Sequence, residues 1–179
     1  MPQTPAADFA ALIAKLKSAP DWRTHLTEAI AFFSTEATFV VVESPYAALT
    51  PAEIERNLAY ARAATHDALV RHGEIPLTSH IKYTQPGILD DTVAWERTLG
   101  IAAGLAEGSR LAKFSVVYID LGLSDGMKKG LRAAVSAGRP VILRSLAAYA
   151  NPTHTLAGAQ KEMSLFGIKA DICPSIDAA

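Results

Sequence analysis

Short runs of consecutive apolar residues alternate along this chain with longer stretches in which apolar residues recur every three or four positions. The first rhythm suits strands buried on both faces of a sheet, and the second suits helices packed against it. Residues 37–43 (ATFVVVE), 75–80, 114–120 and 141–144 read as strands. Between the first two, Thr50-Pro51-Ala52-Glu53 combines a capping box with proline at the first helical position. The helix it starts turns Ile54, Leu58, Ala61, Ala68 and Leu69 inward and closes at Gly73. A second helix from Thr92 sets Trp95, Leu99, Ala102 and Leu105 on one inward stripe, and a third brings Met127, Leu131, Ala134 and Val135 inward. The resulting β-α-β-α-β-α-β order predicts an α/β fold, a parallel sheet of about four to five strands with right-handed crossovers and helices on its faces.

Two amphipathic helices precede the first strand, one carrying Phe9, Leu12, Ile13 and Leu16 and the other Trp22, Leu26, Ile30 and Phe33. The expected organisation is a helical extension over 1–36, an α/β domain over 37–150, and a last helix from Asn151-Pro152 to about Phe166 with a frayed tail, 151–179. Half of the 179 residues are apolar and a fifth are charged, enough for one core. The net charge of -1 provides no broad positive surface, which argues against long nucleic acid and anionic membranes as partners. No apolar run approaches ~18 residues, no signal-peptide order opens the chain, and the single cysteine, Cys173, suits a reducing compartment, so the expected location is cytoplasmic.

Ligands of open parallel sheets bind beyond the carboxyl ends of the strands. Four polar segments fall there: Ser44 to Tyr46, His80 to Asp91, Asp120 to Met127, and Arg144-Ser145. The turn before the third helix offers backbone N–H groups and the Ser124 hydroxyl to a phosphate or carboxylate; alternatively, Ser124 or Asp125 only caps the helix while Gly122 permits a tight turn. Asp120 either binds a ribose hydroxyl or braces a loop, and His80 either touches a ligand or is a satisfied structural histidine. Asp90, Asp91 and Glu96 cluster at a helix start, where capping accounts for Asp91 and a surface ion pair competes with a catalytic role for Glu96. Ser44 and His80 lack a nucleophile elbow, which argues against a serine hydrolase. No Walker A loop or dinucleotide fingerprint is present, and His66, His72 and His154 show no metal-ligand spacing, so no metal or organic cofactor is expected.

Glu43-Ser44-Pro45-Tyr46, Asn57, Ile75-Pro76 with His80, Leu89-Asp90-Asp91, Glu96-Arg97 with Gly100, and Ser124-Asp125-Gly126-Met127 together resemble the nucleoside 2-deoxyribosyltransferase-like family of small bacterial and phage domains of unknown function. The resemblance covers about Phe39 to Leu146. It implies a flavodoxin/Rossmann-like sheet, a nucleoside or nucleotide as ligand, and a homo-oligomer whose neighbouring subunit completes the pocket. The expected ligand contacts are Ser44, Pro45, Tyr46, Asn57, His80, Asp120, Ser124, Asp125, Gly126 and Met127. In that family a glutamate four residues after the turn glycine acts at the sugar C1′; here that position is Gly130. The loss leaves two expectations. Either Glu96 or Asp91, with Asp90 or Asp125 as further candidates, supplies the carboxylate for N-glycosidic cleavage or transfer, or the protein binds nucleotides without chemistry as a sensor, sponge or assembly subunit.

Overall fold

The computed structural model describes residues 6–173. Two helices, α1 (Ala6–Ser18) and α2 (Leu26–Thr35), lead into β1 (Phe39–Glu43). Then follow α3 (Pro51–His66) with a π-helical turn (Asp67–Arg71), β2 (Ile75–Leu77), α4 (Ser79–Lys82), α5 (Ala94–Leu111), β3 (Phe114–Tyr118), α6 (Asp125–Ser136), β4 (Val141–Arg144), a 3-10 turn (Ala147–Tyr149), α7 (Leu156–Leu165) and β5 (Ala170–Ile172). All neighbouring strands are parallel, in the order β2-β1-β3-β4-β5, which is the flavodoxin-like arrangement.

The sheet separates two apolar cores. Alternate β1 residues Val40 and Val42 join Phe114, Val116 and Tyr118 of β3 against Tyr60, Ala64 and Ala68 below α3. On the other face Val117, Val141 and Leu143 meet Met127, Leu131 and Ala134 of α6 and Met163 of α7. Strand β3 lies between both cores and is buried throughout, as its uninterrupted apolar run requires. The capping box of α3 forms as expected: Thr50 Oγ1 accepts from Glu53 N–H, and Glu53 Oε2 accepts from Thr50 N–H at 3.0 Å. Among the described residues, no helix is long and apolar enough to cross a membrane.

Several expected boundaries and faces are corrected. Strand β2 ends at Leu77, and His80 sits in α4 rather than at a strand end. Residues 170–172, expected in a frayed tail, pair with β4 as the edge strand, and α7 starts at Leu156, after an Asn151 turn and a Thr155 cap. Helix α5 is turned opposite to the expected stripe: Trp95 and Leu99 are 67% and 54% exposed, and Leu105 is also exposed. Its inner face is Gly100, Gly104 and Gly108, where a Cβ would fall 2.5 Å from Ser79 Cβ at Gly104 and 2.7 Å from Val41 Cγ2 at Gly108. The helix thus rests on backbone rather than on interlocking side chains. Leu69, Val135, Trp22, Leu26 and Ile30 are likewise exposed, and α1 and α2 meet through Phe9, Leu12 and Phe32.

Beneath α3 the sheet carries a buried polar network. Arg144 Nη1 and Nη2 donate to Glu74 Oε2 and Oε1 at 2.7 and 2.6 Å, and Tyr118 Oη donates to Asp67 Oδ2 at 2.7 Å. Truncating one partner of a buried pair strands the other charge. Glu74→Leu is therefore expected to cost roughly 3–5 kcal/mol of unfolding free energy in urea titrations. Combining it with Arg144→Met should restore most of that loss; an unrestored double variant would show that the pair itself stabilises the fold.

Candidate active site in the cleft between the first and third strands

The crossover from β1 leads to β2 on one side, while that from β3 leads to β4 on the other. Their carboxyl ends therefore diverge and open a crevice, the site where such sheets bind ligands. A cavity of about 460 Å³ occupies it, walled by the segments after β1 and β3, by α4, and by the facing sides of α5 and α6. Of the expected site residues, Ser44, Tyr46, His80, Asp91, Glu96, Ser124, Asp125, Gly126 and Met127 line it.

Three expected contacts lie elsewhere. Asp120 is fully buried, its Oδ2 accepting from Tyr60 Oη at 2.7 Å and Leu146 N–H at 2.9 Å, and its Oδ1 from Ser145 Oγ. It braces the loop after β4 and leaves no oxygen facing the cleft for a ribose. Asn57 is buried and donates from Nδ2 to the Tyr46 carbonyl at 2.9 Å, so it shapes the β1–α3 loop from behind. Pro45 is buried in that loop and does not line the cavity.

The two expected catalytic carboxylates reach the cleft already engaged. Glu96 Oε2 accepts from Asp90 N–H at 2.7 Å, which ties α5 to the preceding loop. Asp91 pairs with Arg97; burial raises its pKa above the usual carboxylate range while Arg97 pulls it back. At the α6 start, Ser124 Oγ accepts from Met127 N–H at 3.3 Å. The serine is therefore a helix cap, and the mouth of the cleft presents the exposed Asp125 and Gly126 beside it.

The carboxylate the cleft does offer is Glu43, the last residue of β1. Its alternation along the strand turns it away from α3 and toward α6, where it meets Gly130. A Cβ built on Gly130 would lie 2.0 Å from Glu43 Oε1 and 2.8 Å from Oε2. The Glu43 carboxyl thus fills the space that any side chain at position 130 would enter. Burial raises its pKa to about 8, and Arg139 only partly offsets that, so Glu43 is mostly protonated at neutral pH. Beside it, Ser44 Oγ and His80 Nε2 share a hydrogen bond of 2.8 Å, and burial lowers His80 to about 4, leaving the imidazole neutral. The strand pattern alone marks Glu43 as an acid ending an apolar run; its pairing with Gly130 depends on tertiary contact.

Two measurements check this geometry. Gly130→Ala forces the Glu43 carboxyl out of its present position and should therefore stabilise less than the same change in a Glu43→Ala background, where helix propensity alone should contribute about 0.5–1 kcal/mol. Independent effects in the double-mutant cycle would refute the contact. For pH, a raised Glu43 pKa contributes stability that is full below about 4.5 and is lost as pH rises through about 8; a lowered His80 pKa contributes stability that is lost as pH falls from about 6.5 through 4. Above about pH 6.5, where the His80 contribution is constant, thermal midpoints should therefore fall as pH rises to about 8 in the wild type but not in Glu43→Gln.

No curated protein matches the chain. Among solved structures, a 2-deoxyribosyltransferase from the psychrotolerant bacterium Bacillus psychrosaccharolyticus, characterised as a biocatalyst for synthesis of antiviral and antitumoral nucleosides, is similar over 60% of this chain and 72% of its own. The identity is 19% and the TM-score 0.44. A family model matches residues 38–144, a span that holds β1 to β4 and all the residues lining the cleft, and the chain accordingly belongs to the family described as a domain of unknown function, DUF7768.

Proposed function

We propose that this protein binds a nucleoside or nucleotide in the β1–β3 cleft and cleaves or transfers at its N-glycosidic bond, with Glu43 as the working carboxylate. The observation that carries this reading is the seating of the Glu43 carboxyl in the space of the absent side chain at Gly130. The resemblance of the cleft motifs to deoxyribosyltransferase-like proteins implies an acid from position 130 at the sugar C1′. Here an acid from β1 reaches the same space from the opposite wall.

Cleavage breaks the C1′–N bond, the base leaves with the bonding electrons and takes a proton from water, and positive charge develops on the sugar. Ionised Glu43 stabilises that charge or forms a glycosyl ester, which water or a second base then resolves. In this reading Glu96 and Asp91 keep the α5 start and its loop in place, and the α6 N-terminus with Ser124 and Gly126 holds the polar end of the ligand. The seat of Glu43 favours a second reading, a binder without chemistry: burial raises its pKa to about 8, which works against negative charge where the sugar cation would form.

Incubation with a panel of nucleosides, nucleotides and dinucleotides, with released base followed by chromatography, separates the two. Catalysis by ionised Glu43 predicts that kcat/KM rises with pH through about 8. Glu43→Gln should lower it about 100-fold or more, and Glu96→Gln far less. Nucleotide-induced thermal stabilisation with no base release at any pH would instead leave the binding reading standing.

A further inference from the structure

The cleft continues beyond Glu43. It runs between α5 and α6 across the sheet, past Val41 and Leu105, to Gly108 and the guanidinium of Arg139. Arg139 is 9% exposed. Its Nε donates to Ser115 Oγ and its Nη1 to the Gly108 carbonyl, both at 3.0 Å, which fixes the plane of the group. Among the described residues, Nη2 has no hydrogen-bond acceptor and no carboxylate stands within ion-pairing distance of Arg139. A buried cation is normally paired, because desolvation without a counter-charge is costly. Glu43 acts on this one electrostatically from beyond ion-pairing distance, and Nη2 keeps its donors unused in a residue that lines the cleft.

The register sets the spacing. Ser115, which holds the guanidinium, pairs with Val41, and Val117 pairs with Glu43, so two residues of strand, about 6.6 Å, separate the levels of the two groups. That is of the order of the span from the anomeric carbon of a purine nucleoside to its O6, with N7 nearer along the same edge. Val41, Leu105 and Met127 supply apolar walls on either side of that span, as a flat ring requires.

We infer that Arg139 reads the base in this cleft and that the base is a 6-oxopurine, whose O6 and N7 accept from the guanidinium. The inference rests on the nucleoside reading above. A guanidinium only donates, so the adjacent acceptors of guanine or hypoxanthine match it; the amino group of adenine opposes it, and a pyrimidine offers a single carbonyl on the corresponding edge. Glu43 then lies level with the glycosidic bond while Arg139 holds the far edge of the ring.

Calorimetric titration of the full chain with inosine 5′-monophosphate, adenosine 5′-monophosphate, hypoxanthine and adenine tests this. The wild type should bind each 6-oxopurine ligand at least about tenfold tighter than its adenine counterpart. Arg139→Met should abolish that ratio by weakening the 6-oxopurine ligands far more than the adenine ones, and Arg139→Lys, which keeps the charge without the fork, should narrow it. If Arg139→Met fails to fold by circular dichroism, the wild-type ratio and Arg139→Lys decide. Equal affinities, an adenine preference, or a preference that survives both variants would overturn the assignment. Base release without 6-oxopurine preference would sink the Arg139 role alone, and a clear preference without release from any substrate would sink the glycosidic reading alone. Absence of binding by all four ligands would remove both.

Discussion

The divergence of the two central strands is the constraint on which the rest of this protein depends. Because β1 is followed by a crossover toward β2, and β3 by one toward β4, the chain leaves the middle of the sheet in opposite directions. The segments after these strands cannot cover the gap they create. Everything polar that the fold must place near a ligand is carried to that gap by short connections: Ser44 and Tyr46 from β1, the Ser124 cap and α6 start from β3, and His80 from α4. The two flanking cores supply rigidity, and the carboxyl end of β1 places Glu43 in the gap.

Glu43 and Gly130 meet across the cleft, strand against helix. The position on α6 is buried, faces the cleft, and holds no side chain; the strand opposite contributes one that reaches the same volume. Burial makes that acid weaker than an exposed glutamate, with Arg139 as the cation that limits the effect. Helix α5 contributes by what it lacks. Its glycines let it lie against Val41 and Ser79, so the wall of the cleft is close to the sheet without intruding on it.

Local chemistry made much of this legible. Val-rich β1 and β3, the Thr50–Glu53 box and the Ser124 cap each announce themselves in a few consecutive residues, and together they fix the order of elements and the place of the cleft. The misread parts are those decided at a distance. The apolar residues of α5 suggest an inward stripe, yet close approach through Gly104 and Gly108 turns Trp95 and Leu99 outward. Asp120 ends a strand at the right level for a ligand, but Tyr60, Ser145 and Leu146 from other parts of the chain claim its oxygens. Glu43 stands in the sequence as the end of a strand; only the missing side chain at Gly130 gives its carboxyl a meaning.

That contact also makes position 130 a control on residue 43. In this conformation the Glu43 carboxyl occupies the space that a side chain on the helix would enter, so any residue larger than glycine there would turn the carboxyl out of its seat and toward the open cleft. The burial of the acid is thus set from the opposite wall, by a residue that carries no chemistry of its own.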